Sequence, residues 1–426
     1  MARTLFTNVT IIDGSGTEPF AGEVLVDGNR IKSVARGRGT LAADGAERVD
    51  GGGATLMPGL VEAHSHISFA NTPDLDSLGE IPPEEHTLLA ARHAKLMLDQ
   101  GFTSLCSAAA AKPRLDVVIR NAINAGQLPG PRMLAATPEM TVSGGLGDVR
   151  LWHLHRDTFA IVCDGPDEFR RTAREMCREG VDTLKINPSG DEFVPYARAQ
   201  QTVMNDAEVE AVCEVARSRG KRVAAHARSA ESVKMSLRHG VDIIYHATFA
   251  DAEAIDALEE AKERVFVAPT IGITYATLNE AAPWGITVSV AEGLGLRREI
   301  EHAVGVIKEL KQRGVRILPG GDYGFAWNPV GRNARDLEHF VNMFGYTPME
   351  AIVAATRDNA FAVGLEGQVG ELAPGKLADL IVLNKDPIAD ITVLQGGKHL
   401  SWVIKDGRIV DLEPREDMLT FQQAAE

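Results

Sequence analysis

The chain has 426 residues, of which 44% are hydrophobic and 24% are charged. This balance is ordinary for a soluble globular protein, and it excludes a disordered, collagen-like or disulfide-framework protein. The formal net charge of −15 argues against a nucleic-acid partner, because phosphate binding needs clustered Lys and Arg. No apolar run reaches the roughly 18 to 20 residues of a membrane helix, and no apolar signal segment is recognisable, so we expect a cytoplasmic protein without a membrane partner.

Short strand patterns occupy both ends of the chain. Near the start, Thr4–Ile12 alternates loosely, and Glu23–Val26 is followed by an Asp-Gly pair, which is a hairpin signal. Near the other end, residues 378–383 have strand character and Trp402–Lys405 meets a second Asp-Gly pair. The two ends are therefore predicted to share one small β-structure.

Apolar strand-like runs alternate with amphipathic helical stretches between these ends. Eight runs follow one another: Leu60–His66, Thr103–Ala108, Arg132–Ala136, Asp182–Ile186, Arg222–Ala227, Asp242–His246, Val265–Thr270 and Arg316–Gly320. Strands alternating with helices indicate βαβ units and a parallel sheet, and eight units over roughly 300 residues fit a (β/α)8 barrel. A doubly wound sheet is the alternative. The predicted fold class is α/β: a TIM barrel over residues 58–363, with a small β-sandwich made of residues 1–57 and 364–426.

Side chains that bind metals lie at the carboxyl ends of the predicted strands, where a barrel carries its active site. His64 and His66 are two residues apart, so both point to the same side of a strand. Four further residues end other strands: Lys185, His226, His246 and Asp322. Histidine and carboxylate suit zinc and similar cations. The pattern predicts a metal site; the alternative is that each is an ordinary polar residue at a strand end.

Lys185 is unusual in this set, because an ammonium group has no lone pair with which to bind a cation. If its neutral amine adds CO2, the product is a carbamate, an anionic group whose two oxygens can bridge two metal ions. The alternative is a lysine whose stem lies along the barrel rim with its charge in water.

The chain resembles the amidohydrolase superfamily over essentially its whole length. The resemblance rests on Pro58–His66 (PGLVEAHSH), on the four later residues in the same order, and on Gly370–Leu380. It is nearest to the branch of imidazolonepropionase-related proteins, dipeptidases, carboxypeptidases, ochratoxin amidases and phenylurea hydrolases. The resemblance implies a barrel inserted in a β-sandwich, a small-molecule substrate and a homo-oligomer of up to eight chains.

The resemblance also implies a role for each ligand. His64 and His66 would bind the more buried of two divalent metal ions, and His226 and His246 the more exposed one. Carboxylated Lys185 and a hydroxide would bridge the two ions. Zinc is the expected metal, although cobalt and manganese suit the same ligands.

Asp322 would contact the buried ion, accept the proton of the attacking water and pass it to the leaving nitrogen. Arg228 or Tyr245 would donate to the developing oxyanion. The predicted reaction is hydrolysis of a C–N bond in an amide, carbamate or urea. The alternatives are a dipeptidase or carboxypeptidase, a cyclic amidohydrolase or deaminase, and a non-catalytic metal-binding assembly protein. Lys185 counts against a deaminase, because many deaminases use one metal and lack this lysine.

Two positions depart from the branch. Leu146 stands where many relatives have histidine in GGHG, and Arg228 stands where many have the second histidine of HAH. Leu146 adds apolar surface, and Arg228 adds a fixed charge that fits a carboxylate or a carbonyl oxygen. Further loop residues are expected to shape the pocket: Trp152, His153, His155, Tyr275, Trp284, Phe325 and Trp327. Together these residues predict an aromatic or N-acyl substrate.

Overall fold

The computed structural model describes residues 3–43 and 45–413 as a mixed α/β fold. The strands are β1 (Arg3–Ile11), β2 (Phe20–Asp27), β3 (Arg30–Arg36), β4 (Glu47–Asp50), β5 (Thr55–Pro58), β6 (Leu60–Ser65), β7 (Phe102–Ser107), β8 (Arg132–Leu134), β9 (Glu139–Thr141), β10 (Ala160–Val162), β11 (Thr183–Ile186), β12 (Arg222–Ser229), β13 (Ile243–Phe249), β14 (Phe266–Ala268), β15 (Leu380–Leu383), β16 (Leu400–Lys405) and β17 (Arg408–Ile409). The helices are α1 (Pro83–Asp99), α2 (Leu115–Asn124), α3 (Pro166–Glu179), α4 (Asp206–Arg219), α5 (Ala230–His239), α6 (Ala252–Glu260), α7 (Ile271–Glu280), α8 (Val288–Leu294), α9 (Leu296–Gln312), α10 (Arg335–Phe344) and α11 (Pro348–Val353).

Strands from both chain ends form one hydrogen-bonded sheet, in the order β17-β16-β15-β5-β1-β2-β3. β1 pairs in parallel with β4 over its first half and with β5 at its end. β15 pairs antiparallel with β5, so that Leu380 lies opposite Pro58. An apolar cluster that includes Phe6, Val24 and Leu380 packs against this sheet. The chain ends therefore share one β-structure, as the hairpin signals predict.

The central strands form two parallel sheets, β6-β7-β8 and β10-β9-β11-β12-β13-β14. Three isolated parallel bridges continue the pairing beyond them: Ala136 with Thr183, Val267 with Ile317, and Ser65 with Tyr323. The N–H of Leu318 donates to the carbonyl of Val267 over 2.9 Å, and the N–H of Ala63 donates to that of Pro319 over 3.4 Å. The segment after α9 thus bonds to β14 on one side and to β6 on the other.

The eighth predicted strand, Arg316–Gly320, is not a regular strand, and the prediction of one there is wrong. Pro319 has no N–H to donate, so it interrupts the backbone hydrogen bonding between neighbouring strands. Gly320 approaches β6 so closely that an added Cβ would lie 2.7 Å from the backbone nitrogen of His64. The other seven predicted runs coincide with strands. The short strands β9 and β10 have no counterpart among the predicted runs.

The helices cover the central strands with their apolar faces. Helix α3 buries Phe169, Thr172, Ala173 and Met176, a spacing that places all four on one face. Helix α4 begins with a capping box between Asn205 and Glu208 and, like α3, ends at a left-handed glycine. Within residues 3–43 and 45–413, no helix combines the length and apolar character needed to cross a bilayer.

Candidate metal centre and substrate cavity

The carboxyl ends of the central strands bring the predicted metal ligands to one cavity, and three residues there have strained backbones. His246, Thr270 and Asp322 adopt φ values of 76°, 55° and 60°, in the left-handed region that non-glycine residues seldom occupy. Such strain costs of order 1 kcal/mol or more per residue and is retained mainly at functional sites. Two of the three are predicted ligands, and the third, Thr270, hydrogen-bonds to Nδ1 of His246.

His64, His66 and Asp322 form the first ligand group. Nε2 of His64 lies 3.2 Å from Nε2 of His66, and Oδ1 of Asp322 lies 3.4 Å and 3.0 Å from these two nitrogens. All three side chains are buried. Nδ1 of His66 lies 3.1 Å from the carbonyl oxygen of Ala109, which can only accept, so this nitrogen carries the proton. The other ring nitrogen of His66, Nε2, faces the Asp322 carboxylate and Nε2 of His64, and a cation between these three atoms fits this arrangement.

His226 and His246 form the second group. Nδ1 of His226 lies 2.9 Å from Nε2 of His246, and Nε2 of His226 donates to the carbonyl of Gly190 over 3.1 Å. That bond leaves a lone pair on Nδ1 of His226, pointing to the neighbouring imidazole. The donors at both groups thus fit divalent cations such as zinc, cobalt or manganese.

The pKa values agree with such ligands. Burial lowers the pKa of His64 to about 3 and lowers the pKa values of His226 and His246 well below their ordinary range. Burial opposes ionisation of Asp322, but His64 and His66 hold the pKa of this carboxyl well below its usual range. Neutral imidazoles and an ionised carboxylate are the protonation states in which these side chains bind metals.

Lys185 lies at the end of β11, and its side chain is 1% exposed. Its Nζ is 3.7 Å from Oε1 of Glu139 and 5.0 Å from the centroid of the Tyr245 ring. Burial lowers the pKa of Lys185, although Glu139 and Asp322 oppose this shift. A lowered pKa favours the neutral amine, which is the form that reacts with CO2.

Glu139 is a cavity residue that the sequence analysis missed. It begins β9, and its Oε2 accepts a hydrogen bond of 2.9 Å from Nδ2 of Asn187. The same Nδ2 donates to the carbonyl oxygen of Leu146 over 3.1 Å, so Asn187 connects the ligand strand β11 to the loop of Leu146. The available signal was its position, three residues beyond the predicted strand Arg132–Ala136, where barrel sites lie.

The ligands line a cavity of ≈ 240 Å³ together with two sets of further residues. Leu146, Arg228, Phe325 and Trp327 line it, as the sequence indicates. Apolar residues that the sequence analysis did not select complete the lining: Leu75, Phe69, Phe159, Phe193, Ile273 and Leu296. We refer to Phe69, Leu146, Phe159, Phe325 and Trp327 as the apolar wall.

Six residues that the sequence assigns to the pocket do not line this cavity: Trp152, His153, His155, Tyr245, Tyr275 and Trp284. Trp152 is fully exposed to solvent and His153 is also exposed, because the irregular segment that carries them faces outwards. Tyr245 is buried, its ring lies 3.9 Å from that of His64, and its hydroxyl donates to the carbonyl of Ala63 over 3.1 Å. A hydroxyl that is fixed in the core in this way is not directed at a substrate.

Arg228 follows His226 on β12 and is paired with two carboxylates. Its Nε lies 2.9 Å from Oδ2 of Asp191, and its Nη1 donates to Oε1 of Glu299. Burial opposes the charge, but Asp191 and Glu299 raise the pKa of Arg228. Asp191 and Glu299 also line the cavity, and neither was selected from the sequence.

Comparisons with known proteins agree with this site. The model of the amidohydrolase family matches residues 55–410. The chain is 26% identical over 378 residues to ochratoxinase of Aspergillus niger, covering 83% of this chain and 75% of that protein. It is 26% identical over 375 residues to imidazolonepropionase of Pseudomonas aeruginosa (strain LESB58), covering 85% and 87% of the two proteins.

Among solved structures, one of an Xaa-Pro dipeptidase with bound methionine in its active site is similar to this chain. The TM-score is 0.82 at 28% identity, and the match covers 96% of this chain and 100% of the other. The family match extends over most of the chain, from β5 to beyond β17. The protein belongs to the amidohydrolase family and is a hydrolase that acts on carbon–nitrogen bonds.

Proposed function

We propose that this protein hydrolyses an amide, a carbamate or a urea that bears an aromatic or N-acyl group. The observation that carries the proposal is the convergence of the two histidine pairs, Lys185 and Asp322 on a cavity with an apolar wall. Ligand pockets are commonly lined by apolar and aromatic side chains with a few polar groups that fix orientation. The cavity has this composition.

The proposed cofactors are two divalent metal ions, with zinc first and cobalt or manganese as substitutes, and a carbamate on Lys185. His64, His66 and Asp322 would hold one ion, and His226 and His246 the other. When bound, such ions lower the pKa of a coordinated water and polarise a carbonyl group.

Asp322 is the proposed proton shuttle. Its carboxylate lines the cavity, and the two neighbouring histidines keep it ionised. It therefore accepts a proton from the attacking water and delivers it to the leaving nitrogen, which makes the amine a better leaving group. Of the two residues considered as donors to a carbonyl oxygen, Arg228 lines the cavity, whereas the hydroxyl of Tyr245 is engaged in the core.

Dipeptidase or carboxypeptidase activity is the second candidate. The likeness to the Xaa-Pro dipeptidase structure favours it. Leu146 and the apolar wall argue for the ring-bearing substrate instead, because burying an aromatic ring gains roughly 1.5 to 3 kcal/mol over leaving it in water.

The proposal extends to the architecture. The three isolated bridges and the hydrogen bonds of residues 316–323 support a (β/α)8 barrel over residues 58–363, with the irregular segment 316–323 in the place of the eighth strand. The sheet of the chain ends would fold over itself as a β-sandwich of residues 1–57 and 364–426, of which residues 1, 2, 44 and 414–426 lie outside the described part of the chain. A cytoplasmic homo-oligomer remains the proposed form.

The test is a hydrolysis screen with metal-loaded protein across aryl amides, aryl carbamates, phenylureas, N-acyl amino acids and unblocked dipeptides. Metal-free protein and Asp322→Asn are the controls. We expect an aryl or N-acyl compound to be cleaved fastest, with no turnover by metal-free protein and turnover on the order of 10²–10⁴-fold lower in Asp322→Asn. Faster cleavage of small polar dipeptides would favour the second candidate.

A further inference from the structure

The guanidinium of Arg228 lines the cavity between two buried carboxylates. Arg228, Asp191 and Glu299 are 4%, 7% and 2% exposed. Asp191 lies beside Nε and Glu299 beside Nη1, while Thr274 donates to Oε1 of Glu299 over 3.1 Å. We call these four residues the polar end of the cavity.

The polar end has no surplus positive charge. Asp191 alone balances the charge of Arg228. The net charge of the polar end is therefore zero when Glu299 is protonated and −1 when Glu299 is ionised. Oε2 of Glu299 has no hydrogen-bond partner within the described part of the chain, so the acceptors at this end are not saturated.

A substrate carboxylate would therefore meet two carboxylates here. A carboxylate that approached the guanidinium would lie close to both of them, and burial keeps out the water that would otherwise screen the repulsion. An uncharged acceptor has no such obstacle. Arginine has five N–H donors. Within residues 3–43 and 45–413, Nη1 donates to Glu299 and Thr248 and Nε lies beside Asp191, which leaves Nη2 to donate to a carbonyl oxygen.

We propose that the polar end selects against a carboxylate, so that the substrates are amides, carbamates or ureas whose group at Arg228 is uncharged or cationic. The inference rests on the proposed function, because it takes this cavity as the substrate site. If the polar end selects in this way, N-acyl amino acids and dipeptides, which carry a free carboxylate, are poorer substrates than neutral aryl amides, carbamates and ureas.

A matched series tests the inference. N-benzoylglycine, N-propylbenzamide and N-(2-aminoethyl)benzamide have the same scissile bond and the same benzoate product, but the group beyond the nitrogen is anionic, neutral or cationic. We expect kcat/KM of the neutral and cationic compounds to exceed that of N-benzoylglycine at least about tenfold, which is about 1.4 kcal/mol. An anionic compound cleaved as fast as the neutral one overturns the inference.

The double variant Asp191→Asn/Glu299→Gln removes both negative charges and leaves Arg228 unbalanced. It should raise the rate for N-benzoylglycine relative to N-propylbenzamide at least about tenfold. Glu253→Gln is the control, since Glu253 on α6 pairs with Lys234 over 3.0 Å and does not line the cavity. An unchanged ratio in a folded double variant contradicts the inference.

Failure of the proposed function has a different signature. If no benzamide is cleaved, the proposed aryl-amide hydrolysis loses its support. Calorimetric binding of the same three compounds to metal-free protein then tests the inference by itself, because only the charges of the chain act on the compound. Weaker binding of N-benzoylglycine than of N-propylbenzamide supports it, and equal or tighter binding overturns it.

Discussion

Nδ1 of His226 lies 2.9 Å from Nε2 of His246, although the two residues lie on different strands, β12 and β13. β12 and β13 are adjacent and parallel, with His226 opposite Tyr245 and Ala227 opposite His246. Their carboxyl ends therefore present both imidazoles at one edge of the sheet.

Lys185→Ala should lose metal and activity together, because it removes the group that would bridge the ions. Metal content per chain by mass spectrometry is the measurement, and a short-chain carboxylic acid should partly restore both by standing in for the carbamate. A 13C signal of a carbamate is expected in the parent loaded with labelled CO2. One tightly bound ion and an unmodified lysine in the parent would contradict this prediction.

Asp322→Asn should lower kcat on the order of 10²–10⁴-fold, the usual contribution of general acid–base catalysis. At least one metal should remain, because the second histidine pair is untouched. The rate–pH profile should lose its acidic limb, since ionised Asp322 is the proposed base. Near-normal turnover would remove Asp322 from the mechanism.

Leu146→His should lower kcat/KM for aryl amides about fivefold, because part of the apolar wall, worth about 1 kcal/mol, becomes polar. Turnover of unblocked polar dipeptides should fall less. Leu151→His is the matched control, since Leu151 is on the same loop but is exposed and outside the cavity. Equal losses for both substrate types would exclude Leu146 from substrate selection.

Tyr245→Phe and Trp152→Ser should leave kcat/KM within a few-fold of the parent. Tyr245→Phe removes the hydrogen bond to the carbonyl of Ala63 and should cost about 1 kcal/mol of stability. Trp152→Ser should change neither property, because the side chain is fully exposed. A large fall in kcat of a stably folded Tyr245→Phe would restore the oxyanion role to this hydroxyl.

Acid should destabilise the fold through His93. Nδ1 of His93 donates to the carbonyl of Ile67 over 2.8 Å, and Nε2 accepts from Nδ2 of Asn71 over 3.3 Å, so the neutral ring is the one that fits. Burial lowers the pKa of His93 to about 4. In the unfolded chain His93 therefore binds a proton below about pH 6.5, whereas in the folded chain it does so only below about pH 4. The free energy of unfolding falls as the pH drops through this window.

The expected loss from this group alone is up to about 2 kcal/mol between pH 6.5 and 5, at about 1.4 kcal/mol per pH unit. Urea unfolding of metal-free protein at pH 7 and 5 measures it. His93→Gln should lose less stability on acidification than the parent. His302→Gln, at an exposed site on α9, should behave like the parent, and equal losses in all three proteins would contradict the prediction.

The strands and the convergence of the candidate ligands on one cavity were predictable, because buried parallel strands are short apolar runs and barrel chemistry follows their ends. Lys185, His226 and His246 each lie within or at the end of such a run. Residues 316–320 were predicted as a strand on the same grounds, but Pro319 and the close approach of Gly320 to β6 prevent a regular one.

Ion pairs between side chains far apart in the sequence were not predictable. Glu299 lies 71 residues from Arg228, and their charges are joined by the packing of α9 against β13, the neighbour of β12. Glu139 lies on a three-residue strand, which is too short to give a periodic pattern. Trp152 was selected as an aromatic residue in the loop after the third predicted strand, and no local pattern says which way an irregular loop faces.

The pairing of β5 with β15 constrains how the chain folds during synthesis. Leu380 lies 322 residues after Pro58, its partner in the register, so β5 has an unpaired edge in the nascent chain until the last part of the protein leaves the ribosome. A single residue, Gly59, separates β5 from β6, the strand that carries His64. An unpaired edge invites association with other chains. A message truncated before codon 380 should therefore yield an aggregating product, even though every metal ligand has already been translated.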